Sequence, residues 1–432
     1  MAVMLSCLYN PINICQMKKM FVLLMVISLA SVSCEKDDAK DYADYLIATP
    51  LMMRQTEFRN SVAILPPQPI EESGKIYAYQ DYIFVNDKYR GVHVIDNSNP
   101  ENPQKISFLQ IAGNVDMSIK DDILYADSIM DLMIFDISNI NNINIVKRLE
   151  NVLQQYLTWP VEADIFDWEG VDYNEKIQVG WETRMERMLI SEYEERFLSP
   201  QIEVAFDAAN TSESGDTGQG GSLARFKIVG DFLYAVDSHN INIFEISDLE
   251  NPLDLEDVYA GFDIETIFNR GEHLFLGSMR GMYIYDISSP DKPQFVSEFQ
   301  HGTACDPVVV DGDYAYVTLR GGNGCGATES ALFIVDISNI SSPELKISYP
   351  MDGPYGLGVK DEKLFVCDGE SGLKVYDKTD VENLIPLDHF KDINTFDVIP
   401  LENTLLMVGE GVLYQYEYLA DNIQLLSTFS LN

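Results

Sequence analysis

Carboxylates dominate the chemistry available to this sequence. It holds 69 Asp and Glu against 29 Lys and Arg, a formal net charge of −40. With acids so abundant, some pair could serve as general acid and base on a glycan, yet no spacing singles one pair out. The five histidines, at 93, 239, 273, 301 and 389, show no paired spacing for zinc, and His93 sits inside an apolar run as a structural residue would. Residues 215–221 are glycine-rich, but no Gly-Lys-Ser/Thr follows, which argues against a phosphate loop. Asp311-Gly312-Asp313 lacks the remaining ligands of a calcium loop and reads as a hairpin turn. Nothing resembles a nucleophile elbow. No metal, no cofactor and no catalytic residue is therefore assigned. All three tryptophans, Trp159, Trp168 and Trp181, fall in one acid-bearing stretch. Exposed, they would suit stacking on sugar rings or aromatic partners; buried, they would pack that stretch onto the rest of the chain.

The elements that must carry these groups are set by a repeat. Phe333-Ile334-Val335-Asp336-Ile337-Ser338 is a short apolar run ending in an acid and a hydroxyl. It recurs as Gly91-Val92-His93-Val94-Ile95-Asp96, Leu132-Met133-Ile134-Phe135-Asp136, Ile241-Asn242-Ile243-Phe244-Glu245 and Met282-Tyr283-Ile284-Tyr285-Asp286. Degenerate copies end at Asp377 and Glu417. From 96 to 136, 245, 286, 336, 377 and 417, subtraction gives gaps of 40, 109, 41, 50, 41 and 40. A period of roughly 40 residues marks propeller blades or helical arrays. Runs rich in Ile, Val, Tyr and Phe, bounded by Gly, Asn, Asp and Pro, favour strands. The fifth unit divides into four such runs, at 307–310, 314–318, 332–336 and 344–348. The expectation is an all-β fold: a seven-bladed β-propeller of four-stranded antiparallel blades, occupying residues 74–432.

The run resembles the repeat that gives the LVIVD-repeat family its name, most densely over residues 74–138 and 305–338. That resemblance implies a bacterial or archaeal cell-surface propeller, with no common reaction and no catalytic residues to carry over.

The 109-residue gap predicts one insertion, 153–221, between blades two and three. Within it, 182–197 reads as a short helix and 210–221 as a flexible arm. Residues 61–65 read as an added edge strand. The first blade begins at Lys75 and the last ends with 424–431, so each terminal blade holds its own four strands and the ring would close by face packing.

The N-terminus gives an address. Lys18-Lys19 followed by the apolar residues 20–29 has the form of a signal peptide within residues 1–33, with translation starting at Met17. Ser31-Val32-Ser33-Cys34 resembles a lipobox, which implies acylation of Cys34; an ordinary cleaved signal is the alternative. Glu35-Lys36-Asp37-Asp38 resembles the surface-export signal of Gram-negative lipoproteins, and residues 34–73 would form the tether and lead-in. The expected partners are the outer membrane, through the lipid anchor, and a glycan, peptide or protein. Nucleic acid and anionic head groups are repelled by the charge, which favours cations or basic partners.

Loops entering the first strands of such blades converge on one face. Aligning those strands places Lys75, Asp116, Arg225, Glu265, Asp306, Tyr355 and Asp397 near the axial mouth, a default ligand site. Ordinary polar lining of a water-filled channel is the alternative. Cys305 and Cys325 fall at neighbouring strand ends, so a disulfide there fits an oxidising location; Cys367 reads as a buried thiol. Three function classes follow: a binding module, an enzyme such as a hydrolase or lyase on an external polymer, and a structural component of a surface assembly. The binding module is preferred, with catalysis left undecided.

Overall fold

The computed structural model describes residues 42–154, 160, 163–190, 193, 218–302, 304, 307–321 and 329–431. Cys34, Trp159, Cys305, Asp306 and Cys325 lie outside these residues, as do the expected signal peptide, the disulfide and the start of the tether. The chain divides into two compact units, one of residues 1–45 and 185–201, the other of residues 46–184 and 202–432. In the described part of the first, Tyr45 stacks on Tyr193 at 4.4 Å. All that follows concerns the second.

Strands dominate because the apolar runs alternate. In Asn240–Glu245 and the residue after it, Ile241 and Ile243 join one apolar cluster while Phe244 and Ile246 join another. Successive side chains of a strand point to opposite faces, so one run supplies two interfaces. Among the described residues, seven antiparallel sheets are built this way, each a meander of consecutive strands. Sheet one comprises Ser73–Tyr79, Tyr82–Asp87, Gly91–Asp96 and Gln104–Gln110. Sheet two runs from Met117–Lys120 to Asn144–Leu149, and sheet three starts at Phe226–Val229. Sheet seven comprises Thr395–Pro400, Thr404–Gly409, Val412–Tyr418 and Ile423–Ser430. The fifth sheet has strands Val308–Asp311, Tyr314–Leu319, Ala331–Asp336 and Glu344–Pro350, close to the four expected runs. Gly312, at φ 56°, makes its first hairpin turn.

Apolar clusters tie each sheet to the next. Phe84 and Val94 of sheet one meet Ile119 and Phe135 of sheet two. Tyr125 and Ile134 of sheet two meet Ile228 and Phe244 of sheet three. The series returns on itself: Ile76, Ile83 and Val85 of sheet one pack with Ile399, Leu406 and Leu413 of sheet seven. Polar bonds reinforce that last join. Gln415 and Asn97 exchange side-chain hydrogen bonds of 3.1 and 2.7 Å, and Ser427 Oγ donates to the Pro100 carbonyl at 2.6 Å. Sheets one and seven share no strand, so face packing joins them. The architecture is all-β and propeller-like.

Two additions come from outside the meanders. Ala63–Leu65 pairs with Gln104–Gln110 as an outer edge strand, as the apolar run at 61–65 anticipates. Strand Tyr42–Arg54 lies between Ile165–Phe166 and Lys176–Leu189 in a three-stranded sheet. The helix expected over 182–197 is therefore strand as far as Leu189; pairing with Tyr42–Arg54 overrides the local preference of this charged segment. A short helix, Gln55–Asn60, buries Phe58 beside Ala112, Ile129 and Val179. Arg59 and Arg148 both reach the buried Asp131 carboxylate, at 3.2 and 2.7 Å, and hold the helix down. No helix among the described residues is long and apolar enough to cross a membrane.

Candidate functional site

The acids that define the repeat are turn formers. Asp96, Asp136, Asp286, Asp336 and Asp377 each accept the backbone N–H two residues on, at 2.7–3.0 Å. This Asx geometry ends the third strand of each sheet. Hydrogen bonds to the following Ser or Thr hold the five carboxyls below their ordinary pKa.

A second periodic acid went unread in the sequence. Asp87, Asp127, Asp237 and Asp368 precede the motif acids at 96, 136, 245 and 377 by 9, 9, 8 and 9 residues. Asp87, Asp127 and Asp368 each bind two successive backbone N–H groups of the segment entering their own sheet: Glu71 and Glu72, Val115 and Asp116, and Asp352 and Gly353. Asp237 instead binds the hairpin that follows it, at His239 and Asn240. Constant spacing from the motif was the signal that could have found them.

The axis where the first strands converge is occupied by the chain itself. Residues 218–226, the return from the insertion, run through it as a strap. Gln219 and Gly220 pair with Ala78 and Tyr77 on the free edge of sheet one's first strand. The Gly218 N–H donates to Ile119 of sheet two at 3.2 Å, and Gln219 Nε2 to Pro400 of sheet seven at 3.1 Å. Ser222 donates from both N and Oγ to Asp397 Oδ1 at 2.8 Å, while Leu357 N of sheet six donates to Ser222 Oγ at 2.7 Å. A Cβ on Gly221 would lie 1.9 Å from Asp397 Oδ2, so only glycine permits this approach. Residues 218–221 were expected to be a flexible arm; they are strand and bonded strap, because bare backbone was needed in a narrow space.

The expected mouth residues sit around this strap. Lys75 Nζ lies 3.3 Å from Asp116, whose Oδ2 also accepts the N–H groups of Arg225 and, at 3.1 Å, Phe226. Lys75, Asp116 and Arg225 are thus brought together. Asp397 lies on the other side of the strap, and its Oδ2 has no hydrogen-bond partner among the described residues. Glu265 is buried. Tyr355 is half-buried under Arg320, whose guanidinium lies 4.0 Å from its ring centroid and 3.1 Å from its hydroxyl. Burial pushes Asp397 up to about 7, against hydrogen bonds from Ser222 and Val398 and the charge of Lys75. Burial likewise raises Asp127 to about 6, against two backbone N–H groups and the charge of Arg225.

Carboxyls raised in this way are candidates for general acids. Both, however, are buried and bonded inward to backbone. Space at the strap, lined by Tyr77, Ser118, Gly220 and Phe226, is about 240 Å³ with open solvent included, below the usual ligand-pocket range. Among the described residues no group of three or more His, Cys, Asp and Glu could hold a metal ion. His93 is buried in its strand, stacked on Phe108 with Nε2 3.3 Å from Asp87. Cys367 is a buried free thiol, as expected.

The insertion's tryptophans divide. Trp181 is buried with Ala48, Tyr89 and Val115, which ties the three-stranded sheet to loops of sheets one and two. Trp168 remains 43% exposed, its ring meeting Trp181 edge-on at 5.2 Å. Arg184 donates to Thr49 Oγ1 at 2.8 Å and reaches Asp167 at 3.4 Å, bracing the strand beside it. A half-exposed indole is thus held on a rigid base among polar groups.

Comparison with known proteins agrees with this architecture. The LVIVD repeat matches residues 72–107 and 301–350. No curated protein matches the sequence. Among solved structures, the periplasmic gluconolactonase of Pseudomonas aeruginosa is similar at a TM-score of 0.50 and 8% identity, over 83% of this chain and 96% of that one. A protein of Desulfotomaculum acetoxidans (TM-score 0.48, 11% identity, 83% and 98% covered) and Hsv2 of Kluyveromyces lactis (0.47, 11%, 84% and 100%) are also similar. Such likenesses speak to fold alone.

Proposed function

We propose, for a chain that belongs to the LVIVD-repeat family, that the seven sheets are blades of one closed propeller and that this propeller is a binding module displayed on the outer membrane. Acylated Cys34 anchors it and residues 34–73 hold it off the lipid. Its ligand is a glycan, peptide or partner membrane protein met at the insertion's small sheet. One contrast carries this reading: the acids at the axis are covered by the strap, while Trp168 presents an indole face to solvent on a braced support. Aromatic faces of this kind supply contact area at low entropic cost.

The test pairs a glycan array on the soluble form with a pull-down of the lipidated protein from its own outer membrane. Trp168→Ala should abolish capture of whatever is retained and leave the melting temperature unchanged. Capture that survives this change would overturn the assignment of the surface. Metabolic labelling with a fatty acid should mark the wild-type chain and not Cys34→Ala; an unlabelled wild-type chain would remove the anchor from the proposal.

A further inference from the structure

Sheet three departs from the other six at its outer edge, and an exposed aromatic corner is built there. Elsewhere the fourth strand is continuous, six to eight residues long. Here it is two fragments, Leu253–Asp254 and Val258–Tyr259, both paired to Asn240–Glu245. Tyr259 is 58% exposed and Phe262 57%. Their rings stand nearly perpendicular, 84° apart at 6.0 Å, and His239 meets Phe262 at 5.6 Å and 77°. The corner is rigid. Ala260 N donates to the His239 carbonyl at 2.7 Å, Ile264 N to that of Ser238 at 3.0 Å, and the Tyr285 hydroxyl to that of Ala260 at 3.0 Å. Two large rings kept in water on a fixed frame form a surface for a partner rather than part of the core.

Charge selects the occupant. Asp257 interacts with Asp254 and Asp237, and these like charges together with burial raise it to about 6. No salt bridge neutralises Asp254 or Asp257 among the described residues; the nearby Arg280 is spent on Asp263 at 2.9 Å. Perpendicular aromatic walls offer ring faces that attract a cation, and flanking carboxylates add to that attraction. We propose that the corner of Tyr259, Phe262 and His239 receives a Lys or Arg side chain from a basic peptide segment of a partner protein. This site is separate from the Trp168 surface and does not depend on it.

The experiment is fluorescence anisotropy of the folded chain with a labelled Lys/Arg-rich peptide, and with the same peptide after its lysines are acetylated and its arginines replaced by citrulline. Tyr259→Leu with Phe262→Leu keeps apolar cover and removes the ring faces; Asp257→Asn removes a charge. Both positions are exposed, so folding is preserved, which circular dichroism verifies. The double variant should bind the basic peptide about five- to tenfold more weakly. Asp257→Asn should weaken it less, Trp168→Ala should leave it unchanged, and the neutralised peptide should not bind. Equal binding by wild type and double variant would overturn the proposal, since general attraction to a net charge of −40 would then suffice. Displacement of the peptide by a neutral oligosaccharide would overturn it too, in favour of a sugar platform.

Discussion

At the scale of single residues, acids here are divided by what they bond. The motif acids accept backbone N–H groups at exposed turns, and their folded pKa lies below the unfolded value. Such a group stabilises the fold above its unfolded pKa, and that contribution is lost as pH falls through the folded value. Asp397 is the reverse. Its folded pKa is raised to about 7, so its contribution is full below the ordinary carboxyl range and is lost as pH climbs from there to about 7. Asp397→Asn imitates the protonated form. It should flatten stability across that interval and raise it at neutral pH by on the order of 2 kcal/mol, read from urea titrations at several pH values. Asp136→Ala should lower stability by about 1 kcal/mol or less, and Asp136→Asn by less still, because Asn also forms Asx turns. The turn role of Asp136 was legible, since Ser and Asn follow it. The role of Asp397 was not: its partner, Ser222, lies 175 residues away.

Among elements, the meanders were legible and the additions were not. Alternating apolar runs with turn residues between them define a strand without knowledge of its partners. The strap carries only Gly, Gln and Ser, which announce backbone freedom and give no destination. The small sheet was hidden for a related reason. Its middle strand, Tyr42–Arg54, finds its neighbours more than a hundred residues later, and no local pattern records such a pairing. Gly221→Ala should cost about 1–3 kcal/mol, because Asp397 is too tightly held to retreat from the added methyl. Trp181→Ala should cost about 3–5 kcal/mol in a thermal or urea melt, whereas Trp168→Ala should cost little. Equal effects from both tryptophans would contradict their different burial.

For the whole repeat assembly, stability is shared between neighbours, since each sheet fills its faces against the next. The join between sheets seven and one is the one place where chain continuity gives no help. Gln415→Leu removes the paired amides there and leaves Asn97 and the Pro100 carbonyl without their donor or acceptor. A loss of about 1–3 kcal/mol is expected, with hydrogen exchange rising first in sheets one and seven. Uniform exchange around the assembly would argue against a weak seam. The strap has a further consequence for how the molecule is made. Residues 218–226 leave the ribosome before sheets four to seven exist, so the later sheets wrap around a thread already in place. Once the carboxy-terminal sheet has docked, that thread cannot be withdrawn without parting the seam, and a circular permutant that emits it last would have to insert it into a finished ring.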